Sequence, residues 1–165
     1  MMNVRKLTTL ALLTAAALII FVIELQIPPL APIPGLKLGL ANIITVCAVY
    51  SFSAADCAMI LTARILLGSI FAGSMISLIY SLSGGALCLA GMLLLRKVID
   101  KKHIWVCSVL GAVLHNIGQT AAAVAVMQTA TVIVYLPFLT AAGCLAGLFT
   151  GVCAGLVLQR LNDHK

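Results

Sequence analysis

Apolar runs long enough to cross a bilayer follow one another along this chain, with almost nothing between them. A span needs about 20 predominantly apolar residues. The runs read as helices over Leu7–Ile23, about Leu36 to Phe52, Ala54–Phe71, about Ser74 to Leu95, Ile104–Met127 and Thr131–Leu158. They are continuous rather than alternating, which argues against a β-barrel. The expected fold is therefore all-α: a polytopic membrane protein of six transmembrane helices, forming a single domain over residues 1–165. Composition agrees. Only 8% of the 165 residues are charged and 63% are hydrophobic, against about 25% charged in a soluble domain. Too little polar surface remains to coat a water-facing globule, and no room remains for a sizeable soluble catalytic domain.

Arg5-Lys6 before the first run resembles the charged start of a signal peptide. The run that follows has 17 residues, longer than the usual signal core of about 7–15. No small-x-small cleavage site separates it from the prolines at 28, 29, 32 and 34. A retained first helix is the expectation.

Charge placement gives an orientation. Arg5, Lys6, Arg96, Lys97, Lys101, Lys102, Arg160 and Lys165 all fall on one side of a six-span chain. Positive residues concentrate in cytoplasmic connections, so both termini are expected in the cytoplasm and the proline-rich segment outside. The net charge of +6 is then a topological signal. It calls for an anionic lipid surface and not for nucleic acid.

Two basic residues are left over. Lys37 stands where the second helix is expected to begin. Arg64 lies inside the third, toward its outer end. A charge at such depth costs about 2.5–3.5 kcal/mol even on the lenient insertion scale, and such residues usually face a protein interior or a watery cavity. Other polar residues fall at similar depth: Asn42, one turn below Lys37, Tyr80, Ser81 and Ser83 before Gly84-Gly85, and His115, Asn116 and Gln119. His115 and Gln119, four apart, share a helix face. Glu24 is expected to close the first helix at the outer surface. The inner halves are nearly all apolar. Lys37, Asn42, Arg64, Tyr80, Ser83, His115, Asn116 and Gln119 are the candidate substrate-binding residues of an outward-facing pocket for an anionic ligand, with Pro28–Pro34 as a candidate lid.

Gly143, Gly147, Gly151 and Gly155 repeat at intervals of four on the sixth helix. Such a stripe lets another backbone approach closely, whether from this chain or from another subunit. Asp56 is expected at the inner start of the third helix, where the dipole favours a carboxylate. The six cysteines lie in or beside spans without a C-x-x-C pair, and read as small apolar residues. No phosphate loop, metal site, catalytic residue or cofactor is expected.

Four segments carry a family resemblance. They are Pro34-Gly35-Leu36-Lys37-Leu38-Gly39-Leu40-Ala41-Asn42, Arg64-Ile65-Leu66-Leu67-Gly68-Ser69 with Phe71 and Gly73, Ser81-Leu82-Ser83-Gly84-Gly85, and His115-Asn116-Ile117-Gly118-Gln119. In that order they resemble the Gx transporter family, also labelled heptaprenyl diphosphate synthase component I, over nearly the whole chain. That family resembles the S components of energy-coupling factor (ECF) transporters. The resemblance implies a six-helix subunit of the cell membrane that captures a vitamin, flavin or prenyl-phosphate-like nutrient from outside. It implies docking on a transmembrane T component driven by two ATPases, through an A-x-x-x-A face that Ala11 and Ala15 match. It also implies the alternative of a non-catalytic accessory subunit in an isoprenoid, quinone or flavin-linked redox system. The chain itself is not expected to be the enzyme. Trans prenyl diphosphate synthesis requires clustered aspartates holding Mg²⁺, whereas acids stand here only at 24, 56, 100 and 163.

Overall fold

The computed structural model describes residues 3–28, 37 and 39–163. Six helices carry the fold: α1 (Val4–Glu24), α2 (Asn42–Ser51), α3 (Ala54–Ala72), α4 (Met75–Leu95), α5 (Ile104–Met127) and α6 (Leu136–Asp163). Short 3-10 turns, Lys101–His103 and Ala130–Tyr135, lead into α5 and α6. Strands do not occur among the described residues. Among the described residues, five helical segments are long and apolar enough to cross a membrane. Large apolar side chains stand exposed on all five, among them Leu12, Ile70, Ile79, Val126 and Leu145. A soluble protein does not tolerate apolar surface on this scale, so this is a multi-pass membrane protein.

Two expected spans differ from the structure. The second run yields a helix of only 10 residues, about 15 Å at 1.5 Å per residue, half of a hydrocarbon core. Gly39 adopts φ +78°, a left-handed conformation that ends helical propagation upstream. Lys37 therefore lies in irregular backbone before α2, not in its first turn, and Asn42 is the first residue of α2. In the sixth run, the β-branched stretch Thr131–Val134 forms the 3-10 turn instead of α-helix. Such residues lose χ1 freedom in a helix, and Pro137 suits the first turn of α6.

At one end of the bundle, hereafter the basic end, Lys6 pairs with Asp56 at 2.8 Å. Asp56 also completes a capping box with Ser53 at the start of α3. Arg96 reaches the last carbonyls of α2 at the same end. The core here holds Val46, Val49, Ile60, Leu61, Leu89 and Met92.

The glycine stripe of α6 finds its partner within the chain. A Cβ on Gly147 would lie 2.9 Å from Val109 Cα, and one on Gly151 2.6 Å from Trp105 Cα, so α6 rides directly on the α5 backbone. Gly143 faces the Asn116 side chain, while Gly155 faces open space. Ser108 and Thr150 bridge the same seam with a 2.9 Å hydrogen bond. On the other side of α5, Gly118 packs against the backbone of Ser83 and Gly84. Lipid supplies no hydrophobic drive between helices, so this backbone-close packing holds α4, α5 and α6 together.

Candidate functional site

At the end opposite Lys6, α1 stops at Glu24 and the chain returns to the bundle through Lys37 and Gly39 to Ala41. Glu24 is not at the surface, as its position at a helix end suggests. It is buried, and its carboxylate accepts hydrogen bonds from the backbone N–H groups of Gly39 (2.6 Å) and Leu40 (3.0 Å). These donors precede the N-terminus of α2, whose dipole favours a negative charge. A carboxylate bonded to backbone N–H groups forms charge-assisted hydrogen bonds, roughly twice as strong as neutral ones. Backbone N–H groups outside a helix need an acceptor when they are buried, and Glu24 provides one for both Gly39 and Leu40.

The same segment is tied to α5. Lys37 donates its backbone N–H to Gln119 Oε1 at 3.2 Å, and Gln119 Nε2 donates to Lys37 O at 3.3 Å. Gln119 Nε2 also contacts His115 Nε2, as the four-residue spacing predicts. Gly39 lies over the His115 ring, since a Cβ there would sit 3.1 Å from His115 Cδ2. The Lys37 ammonium bonds Ser77 Oγ of α4 at 2.7 Å and stands 4.0 Å from the centre of the Phe21 ring of α1. Burial pushes the Lys37 ammonium down to about 8, and Arg64 pushes the same way against the opposing pull of Glu24.

Arg64 lies near the middle of α3 and is only 4% exposed. Its Nε and Nη2 are buried with no hydrogen-bond partner among the described residues. Asn42 Oδ1 and His115 Nδ1 are buried and likewise have no hydrogen-bond partner among the described residues. A native interior satisfies nearly all buried polar groups, and an unpaired buried guanidinium is among the costliest exceptions. Two cations face a single carboxylate, which leaves the cluster electropositive. Arg64 presents a planar fork of donors, the geometry that grips a carboxylate or phosphate with two parallel hydrogen bonds.

The structure thus brings together Lys37, Asn42, Arg64, His115 and Gln119, from the 37–41 segment, α2, α3 and α5. Three other candidates have different partners. Asn116 Nδ2 donates to Leu139 O of α6 at 2.7 Å. Ser83 Oγ donates to Gly118 O at 2.5 Å. Tyr80 packs with Ala123, Val132 and Leu139. Of the candidate lid Pro28–Pro34, only Pro28 falls among the described residues. Glu24 and Ser77 join the site without having been candidate ligand residues. Glu24 carried a usable signal, being an acid at the end of an apolar run; Ser77 carried none. Ala11 and Ala15 both stand exposed on α1.

The family model for heptaprenyl diphosphate synthase component I matches residues 13–157. The chain belongs to that family. Neither a curated protein nor a solved structure matches it. The family match spans every element of the site described above, from Glu24 on α1 to Gln119 on α5. It also spans the α5–α6 glycine seam and Ala15, but begins just after Ala11.

Proposed function

We propose that this component I family member is a substrate-binding membrane subunit of the S-component type, working in an energy-coupling factor transporter. It captures a small anionic nutrient or cofactor precursor from outside. The observation that carries the reading is Arg64, a buried guanidinium inside a membrane span whose Nε and Nη2 have no hydrogen-bond partner among the described residues. A charge in that position is costly, and an anionic ligand satisfies it. Arg64 and Lys37 hold the carboxylate or phosphate, while Asn42, His115 and Gln119 orient the rest of the molecule. The end bearing Glu24 faces outside, following the distribution of positive charge. The segment through Lys37 and Gly39 lies over the ligand and opens by releasing Glu24 and Gln119. Ala11 and Ala15 on the exposed face of α1 receive the T component, and two ATPases supply the energy. Coexpression with candidate T-component and ATPase subunits tests this. A stable four-part complex that takes up a small anion supports the reading, and a chain that never associates with them refutes it.

A second reading is favoured by the family's own description, which names a component of a prenyl diphosphate synthase. On that reading the chain is a non-catalytic membrane accessory of an isoprenoid, quinone or flavin-linked redox system. Copurification with such an enzyme, without uptake, distinguishes it.

A further inference from the structure

A second concavity lies at the basic end of the bundle, away from Arg64. It encloses about 420 Å³ and is lined by Tyr50, Phe52, Arg96, Lys97, Asp100 and Lys101 among others. Arg96 is fixed in place here. Its Nη1 donates to Val49 O at 2.7 Å and to Phe52 O at 3.1 Å, at the C-terminus of α2 where the helix dipole favours a cation. Tyr50 Oη donates to Ile99 O at 3.3 Å and ties the α4–α5 connection to α2. Of the five donors on a guanidinium, Nη1 uses its two; Nε and Nη2 make no hydrogen bond among the described residues. Lys97 and Lys101 add two cations against the single acid Asp100, so the lining carries a surplus of positive charge.

The surroundings of this cavity are those of a bilayer interface. Leu94 is 65% exposed and Val98 84% exposed, on either side of Arg96-Lys97. Apolar side chains this bare at the end of a membrane-spanning helix border acyl chains. Trp105, the one tryptophan of the chain, stands 44% exposed at the start of α5, and tryptophan gathers at headgroup level. A cation set at that level, in a cavity that Val49, Phe52 and Ile99 also line, matches a phosphate that carries hydrocarbon. A free phosphate would leave that apolar lining unused.

We propose that this cavity binds the phosphate of an anionic phospholipid headgroup. Arg96 holds the phosphate oxygens through its planar fork, Lys97 and Lys101 supply further charge, and Phe52 and Ile99 of the lining meet the first methylenes of the chains. Basic pockets between transmembrane helices bind anionic headgroups in this manner.

The full-length protein in neutral detergent is titrated with phosphatidylglycerol, phosphatidylcholine or inorganic phosphate, and bound species are counted by native mass spectrometry. Phosphatidylglycerol is expected to bind on the order of tenfold more tightly than phosphatidylcholine, and Lys97→Gln/Lys101→Gln to erase most of that preference. Both lysines are exposed, so the variant threatens the fold little. Lys102→Gln, next door but outside the lining, is expected to cost much less than Lys101→Gln. Equal binding of the two lipids overturns the proposal. So does equal loss from Lys101→Gln and Lys102→Gln, or phosphate binding as tightly as phosphatidylglycerol.

Discussion

Glu24 and Gly39 are joined across the connection between α1 and α2. The last residue of α1 accepts a 2.6 Å hydrogen bond from the N–H of a glycine held at φ +78°. That bond, with its neighbour to Leu40, seats the turn that lies over His115. Replacing the carboxylate should loosen the turn before it unfolds the bundle. Glu24→Gln keeps the shape and loses the charge, and hydrogen bonds to charged groups contribute about 1.5–3 kcal/mol each. Hydrogen exchange at Gly39 and Leu40 should speed up by at least about tenfold, while amides of α5 and α6 stay protected. Unchanged exchange at the two turn amides would show that Glu24 does not hold them.

Lys37 should titrate far below an ordinary lysine. Its folded value of about 8 compares with about 10.4 for free lysine. Between those values the unfolded chain binds more protons than the folded one, so stability rises with pH there. Its positive charge is lost as pH rises through about 8. Retention of an anion should weaken over the same interval, with Glu24 and Arg64 as the charged neighbours. Carbon-13 methyl labelling of lysines with an NMR titration reads this directly. A Lys37 midpoint above 10 contradicts it.

The α5–α6 seam should distinguish glycines that look alike in the sequence. Gly147→Ala puts a Cβ 2.9 Å from Val109 Cα, where backbone must move, and overpacking of this kind costs about 1–3 kcal/mol. Gly155→Ala meets nothing within 4 Å and should be neutral or slightly stabilising, since alanine is the better helix former. Thermal unfolding in detergent separates the two. Equal melting temperatures would mean that the stripe is not a packing surface.

Ala11→Leu/Ala15→Leu should leave the isolated protein as stable as the parent, because both positions are exposed. The same pair should abolish association with a T component, as bulk there keeps a partner helix away. Copurification with that partner reads the effect. An undiminished complex would move the docking face elsewhere.

What the sequence disclosed follows the physics that each residue obeys. Arg64 stood out because a charge in an apolar run has few acceptable environments. The pairing of His115 with Gln119 followed from helical spacing alone. The shortness of α2 was hidden, because Leu36 to Phe52 is as apolar as a real span. What breaks it is the conformation of Gly39 and the long-range bond to Glu24, and neither leaves a periodic trace. Asn116, Ser83 and Tyr80 have the same polarity and depth as the clustered residues. Their partners Leu139, Gly118 and Val132 lie on other elements, so only tertiary packing separates the two groups. The glycine stripe announced a close contact, and whether its partner lay inside the chain was likewise a tertiary matter.

Arg64 is the centre of the account, and Arg64→Met tests it most directly. The change removes a buried charge whose Nε and Nη2 have no partner among the described residues. Burying a charge that no partner compensates is costly, so an apolar side chain of similar length should not lower stability. The parent and the variant are purified alike, melted in detergent and weighed by native mass spectrometry. The prediction is a small anionic adduct on the parent, none on Arg64→Met, and a melting temperature no lower in the variant. The same adduct on both proteins, or a variant that fails to fold, would show that Arg64 serves the structure and not a ligand.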